Sequence, residues 1–214
     1  MMKTKLTILL GLLLIFSAFT SEKQVITIFT IGDSTMANKP LEGGNPERGW
    51  GQMLSRYFSE EIVIDNHAVN GRSSKSFIDE GRWDKVLAKL KKGDYVFIQF
   101  GHNDEKRDEK RHTDPGTTFD ANLKRFVEEA RAEGAIPVLF NSIVRRNFGK
   151  ADADAVAKAV VQDDIREGID PNAPQAEVKT GARLIDTHGA YLDSPRNVAR
   201  ELEVPFVDLN RVTH

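Results

Sequence analysis

Apolar positions along the chain fall into two alternating rhythms. Residues 25–31 (VITIFTI) make a short β-rich run, and 61–64, 95–100, 136–140 and 204–207 read as four further strands. The run YVFIQF at 95–100 is almost wholly apolar, as expected of a strand covered on both faces. Between these runs the spacing turns helical. Over 46–59 apolar side chains recur at Trp50, Met53, Leu54, Tyr57 and Phe58, and 83–90 reads as a helix stopped by Lys91, Lys92 and Gly93. Over 118–133, Phe119, Leu123, Phe126, Val127 and Ala130 share one stripe ahead of Gly134, and a last helix is predicted over 195–202.

Alternation with short connections predicts an α/β protein, a parallel five-stranded sheet with helices on both faces. In such sheets the ligand crevice lies beyond the carboxyl ends of the strands. The stretch 150–181 breaks the rhythm with an amphipathic helical pattern, ADADAVAKAVVQDDIREG, then a proline-containing loop, DPNAPQAEVKTG. It reads as a surface excursion.

The N-terminus is a different material. MMKTK is basic, the next 14 residues (LTILLGLLLIFSAF) are almost all apolar, and small or polar residues follow at Ala18, Thr20 and Ser21. This is the order of a secretory signal peptide, and the run is short of the roughly 20 residues that span a bilayer. Residues 1–21 are therefore expected to be a leader cut near Thr20 or Ser21, and the mature domain, 22–214, to be secreted or periplasmic. At 40% hydrophobic and 29% charged residues, the composition is that of a globular domain with one sizeable core. A formal charge of −2 gives no field directed at nucleic acid or an acidic membrane. The absence of cysteine removes disulfides, thiolate metal sites and cysteine nucleophiles.

Three polar stretches fall where the crevice should be: Gly32-Asp33-Ser34-Thr35 after the first strand, Asn66 to Ser74 after the second, and Gly101-His102-Asn103-Asp104 after the third. A serine hydroxyl becomes a nucleophile only with a base to take its proton and donors to hold the oxyanion. Ser34 at a strand-to-helix turn could present Oγ and its own N–H, or simply cap the helix. Gly71 could offer a closely approachable N–H, or only make a turn. Asn103 could lend its side-chain amide, or form an Asx-turn. His102 reads as structural. Three such residues at three successive strand ends are hard to explain as turns alone.

GDSTM, NHAVNGRSSKSF and QFGHND resemble the first three sequence blocks of the SGNH (GDSL-like) hydrolases, in their rhamnogalacturonan acetylesterase-like branch. The resemblance extends over nearly all of 25–214 and makes 150–181 an insertion. It implies a flavodoxin-like three-layer α/β/α sandwich, with Ser34 as nucleophile and the Ser34 N–H, Gly71 N–H and Asn103 side chain as oxyanion hole. It further implies a carbohydrate acetylesterase that removes O-acetyl groups from pectic polysaccharide through a Ser34 acyl-enzyme, with no cofactor and no metal. The expected partner is acetylated plant cell-wall polysaccharide, with no nucleic acid, no membrane span after leader removal, and a monomeric state. Arg72, Lys75, Arg145 and Arg146 fall near the crevice rim by the strand-end rule and would suit galacturonate carboxylates, or be ordinary surface charge.

The family supplies its base from an Asp-x-x-His block, and no Asp in this chain is followed by His at the third position. Asp186-Thr187-His188 is one residue too tight, Asp208 stands six residues before His214, and His67 and His112 lack a suitable partner pattern. The expectation is a truncated copy that lacks a closing C-terminal helix and whose catalytic Asp and His lie beyond residue 214. Two alternatives remain: a lipid or short-chain acyl-hydrolase, which needs an exposed apolar groove, and a non-catalytic glycan-binding protein. IGDST lacks the glycine spacing that cradles phosphate, which leaves a nucleotide-binding fold the weakest rival.

Overall fold

The computed structural model describes residues 25–145, 147–149, 183–185 and 187–213. The leader, the 150–181 excursion, Arg146 and His214 lie outside them. Strands β1 (Ile26–Gly32), β2 (Ile62–Asn66), β3 (Tyr95–Gln99), β4 (Ile136–Phe140) and β7 (Phe206–Val207) form one sheet in the order β2-β1-β3-β4-β7. Every pair in it is parallel. This is the flavodoxin-like order, in which the chain leaves β1 to one side and β3 to the other, opening a crevice between their carboxyl ends.

Helices α2 (Ser74–Asp79), α3 (Arg82–Leu87), α4 (Thr118–Ala132) and α5 (Asp193–Glu201) all send residues into one core on a single face of this sheet. That core joins Phe29, Ile31, Val96, Ile98 and Leu139 of the strands to Phe77, Trp83, Phe126 and Val198 of the helices. The apolar stripe of α4 is buried as its spacing predicts, and Phe126 packs edge-on to Trp83 with ring centroids 5.1 Å apart. The helix ends at Gly134, whose φ of 76° is left-handed.

The opposite face carries the shorter helix α1 (Trp50–Met53), continued by a 3₁₀ turn over Leu54–Arg56. The sequence predicts a longer helix here. The element is cut short because its apolar residues split: Trp50 turns inward onto Phe140, 5.3 Å between ring centroids, while Tyr57 is 79% exposed. Gly49 opens α1 where a Cβ would lie 2.0 Å from the Ala37 carbonyl, so backbone meets backbone at this point.

Beyond β4, β5 (Asn147–Gly149) and β6 (Arg183–Ile185) pair antiparallel, with Gly149 opposite Arg183. The residues that flank the predicted excursion are thus paired. After β7 the chain enters a five-residue helix, α6 (Leu209–Thr213), where the sequence predicts none. Asn141 fixes it by accepting from the Asn210 N–H at 3.0 Å and donating to Asp208 at 2.8 Å.

Candidate active site

β1 ends at Gly32, where only glycine fits: a Cβ would lie 2.6 Å from the Gln99 carbonyl of β3. The next carbonyl, that of Asp33, accepts from the N–H of Met36 (3.2 Å) and Ala37 (3.0 Å), winding residues 33–37 into one turn. The cap of this turn is Asp33, whose Oδ1 accepts from the Thr35 N–H at 2.9 Å. Ser34 is therefore not the cap. It is half-buried, and neither its hydroxyl nor its N–H bonds any described residue.

The second loop is tied to the first by the Val69 N–H, which donates to the Gly32 carbonyl at 3.0 Å. Gly71 follows with φ 73° and nothing within 4 Å of a built Cβ. Glycine is favoured here by its left-handed backbone, and the space beside its Cα is open. Its N–H meets no acceptor among the described residues.

Asn103 is 1% exposed, and its amide donates to the Arg72 carbonyl at 3.2 Å while its Oδ1 accepts from Arg111 at 3.3 Å. An Asx-turn is excluded, since both partners lie outside its own turn. One amide hydrogen joins the second and third loops, and the other meets no acceptor among the described residues. The three loops bearing Ser34, Gly71 and Asn103 are thus linked in series by hydrogen bonds.

Several groups that hold this arrangement carry no sequence signal. Asp104 is buried and accepts from the Ser74 N–H (3.0 Å), the Ser74 hydroxyl (2.5 Å), the Gly101 N–H (3.1 Å) and the Thr113 hydroxyl (3.0 Å). It pins the start of α2 against the Asn103 loop. Burial pushes its carboxyl up to about 7, and a negative charge on Asp33 would act in the same sense. Asp33 is also raised, chiefly by burial.

Arg145, predicted near the rim, is instead 6% exposed: it pairs with Glu105 at 2.5 Å and donates to the His102 carbonyl at 2.7 Å. The loop after β3 accounts for the difference, because its Glu105 and the His102 carbonyl hold the guanidinium inside. Glu105 also faces His188 Nδ1 at 3.0 Å, and the rings of His188 and His102 both place Nε2 3.1 Å from the Ile143 carbonyl. Burial holds His102 well below the usual histidine range. Arg72 and Lys75 are partly exposed and are paired with Glu80 at 3.2 Å and with Asp79 at 3.0 Å.

His67 sits 3.0 Å from Asp65, and His112 meets the Lys106 carbonyl at 2.9 Å. No described histidine bonds Ser34. Among the described residues, no group of three or more His, Asp or Glu could hold a metal ion.

Fold and strand-end constellation together define the architecture of the SGNH hydrolases. Residues 30–214 match the GDSL-like Lipase/Acylhydrolase family, and the chain belongs to it. It is 36% identical over 187 residues to the rhamnogalacturonan acetylesterase RhgT of Bacillus subtilis, covering 87% of this chain and 66% of RhgT. With the probable rhamnogalacturonan acetylesterase YesY of the same organism it shares 37% identity over 122 residues, covering 56% of this chain and 55% of YesY. The chain thus spans somewhat under two thirds of the length of these curated relatives. Its fold resembles the crystal structure of YxiM from B. subtilis, with a TM-score of 0.64 and 22% identity over 89% of this chain and 45% of that one. It also resembles Axe2, an acetylxylan esterase from Geobacillus stearothermophilus, with a TM-score of 0.52 and 16% identity over 88% of this chain and 78% of that one.

Proposed function

We propose that this chain carries the nucleophile and oxyanion hole of a serine esterase that removes O-acetyl groups from pectic polysaccharide. The observation that carries the proposal is Ser34 itself. Its turn is capped by Asp33, which leaves the serine hydroxyl and N–H without structural work beside the Gly71 and Asn103 loops. Attack by Ser34 Oγ on the acetyl carbonyl would place the new oxyanion against the N–H groups of Ser34 and Gly71 and the free amide hydrogen of Asn103. The tetrahedral centre would collapse with loss of the sugar hydroxyl, and water would then release acetate from the enzyme.

The names of RhgT and YesY support the rhamnogalacturonan assignment. The partly exposed Arg72 and Lys75 support an anionic polymer. The base that accepts the Ser34 proton is supplied, in this proposal, by a segment of the whole protein outside the described residues. The leader pattern at 1–21 supports export to where such polymers are met.

The test uses the whole gene product on acetylated rhamnogalacturonan and acetylated xylan. Acetate release should be faster from the first and abolished by Ser34→Ala. Equal rates on the two polymers would remove the pectic assignment, and activity that survives the substitution would remove the serine mechanism. A second reading, a glycan-binding protein without turnover, is favoured by the lack of any described histidine on Ser34. Binding of pectic fragments with no acetate release by the whole product would establish it.

A further inference from the structure

We infer that Asp33 is kept as a neutral carboxylic acid and acts as a positioning residue for the Ser34 turn; its role in reactivity rests on the esterase proposal, whereas its protonation does not.

The inference comes from counting protons. Thr35 Oγ1 lies 2.8 Å from Asp33 Oδ1 and 3.0 Å from Gln99 Oε1, yet a hydroxyl has one hydrogen for two acceptors. Reversing the Gln99 amide does not resolve this. The Trp50 indole N–H, a donor only, points at the same Gln99 atom from 2.9 Å and requires it to be oxygen. A proton on Asp33 Oδ1 satisfies every contact: Asp33 donates to Thr35 Oγ1, and Thr35 donates on to Gln99. Asp33 Oδ1 still accepts from the Thr35 N–H at 2.9 Å. With Asp33 ionised, two oxygens would instead face each other at 3.0 Å with no hydrogen between them whenever Thr35 turns to the carboxylate.

The second oxygen points the same way. Asp33 Oδ2 is buried with no hydrogen-bond partner among the described residues, a poor place for half a negative charge but a tolerable one for a carbonyl oxygen. The charged groups that act on Asp33 are Arg145 and His188, which favour its ionised form, and Asp104, the other buried carboxyl. Asp104 has four donors and Asp33 only those of Thr35. A charge on Asp33 would raise Asp104 in turn, so the two carboxyls compete for one proton, and the larger donor set on Asp104 favours leaving that proton on Asp33. Burial raises Asp33 in the same sense.

The consequence for chemistry is electrostatic. An ionised Asp33 would put a buried negative charge one residue from the point where the oxyanion must form, opposing it in a medium that screens poorly. As a neutral acid it caps the turn and ties it through Thr35 and Gln99 to Trp50 of α1 without that cost.

The protonation is tested on the ¹³C-labelled 214-residue chain by following the side-chain Cγ of Asp33, assigned through its own backbone amide, from about pH 5 to about pH 9. A neutral-acid shift that persists past neutrality and moves only at higher pH is expected. A carboxylate shift already present at about pH 6 overturns the inference. No variant is needed for this arm. The role is tested in the whole gene product, by the rate at which Ser34 is phosphonylated by a fluorophosphonate. The wild type should lose roughly tenfold in rate as Asp33 ionises, and Asp33→Asn should lack that alkaline loss. A folded Asp33→Asn variant with the wild-type alkaline decline overturns the role. A neutral Cγ together with a Ser34 that never reacts would leave the protonation standing and sink the esterase proposal.

Discussion

Asp33 and Asp104 are buried carboxyls close enough to feel one another's charge, and they titrate as a pair. Both are raised in the folded chain, so between about pH 5 and about pH 7 the native state holds protons that the unfolded chain has already released. Their contribution to stability is full below the unfolded carboxyl value near 4 and is lost as pH rises. Each group can contribute a slope of up to about 1.4 kcal/mol per pH unit. Asp65, Glu80 and Asp208 are lowered, so their opposite trend is spent below this window. Over the same window His102, held low by burial, contributes a rise with pH until the unfolded histidine is neutral near pH 6.5. The carboxyl effect is therefore read as a difference: the urea midpoint of Asp104→Asn should gain on that of the parent as pH rises from about 5 to about 7, and a constant difference would clear Asp104 of the effect. At this scale the gathering of the Ser34, Gly71 and Asn103 loops was legible, because three polar stretches follow three successive parallel strands. Asp104, Arg145 and His188 were not. Charged residues in a polar sequence read as surface, and only the fold reveals that their partners lie 30 or more positions away.

Helix α2 begins with a reciprocal cap: the Ser73 hydroxyl accepts from the Ser76 N–H at 3.1 Å, and the Ser76 hydroxyl accepts from the Ser73 N–H at 2.9 Å. This device sets the exit of the Gly71 loop. Ser73→Ala should cost about 1 kcal/mol of unfolding free energy, read by urea denaturation, because a buried N–H loses its acceptor. No measurable loss would show that α2 is fixed by Asp104 alone. The five strands and α4 were legible because their apolar periods are long and regular. Helix α2 was hidden, since RSSKSF has a single large apolar side chain and its serines look like chemistry. Strands β5 and β6 have three residues each and carry no period at all. The overlong helix at 46–59 failed for another reason: tertiary contact to Phe140 claimed Trp50 and left Tyr57 in solvent.

On the scale of the molecule, the parallel order β2-β1-β3-β4-β7 gathers every loop that bears chemistry at one edge, and β5 and β6 branch from that same edge. Gly149 and Arg183 are paired across β5 and β6, so the chain leaves and re-enters the described fold at one narrow neck. A neck of this kind makes the fold indifferent to how much chain is strung beyond it. Closure entropy grows only as the logarithm of length, about 0.6 kcal/mol per doubling. Replacing 150–182 with a short Asn-Gly turn should leave the thermal midpoint and the near-ultraviolet signature of Trp83 within a few degrees and a few percent of the parent, on the order of one unit of stability in kcal/mol. A collapse of either would show that the neck is not independent of what it carries. If the prediction holds, this is the point at which the chain can gain or shed a whole module between generations, changing what meets the crevice while Ser34, Gly71 and Asn103 stay where they are.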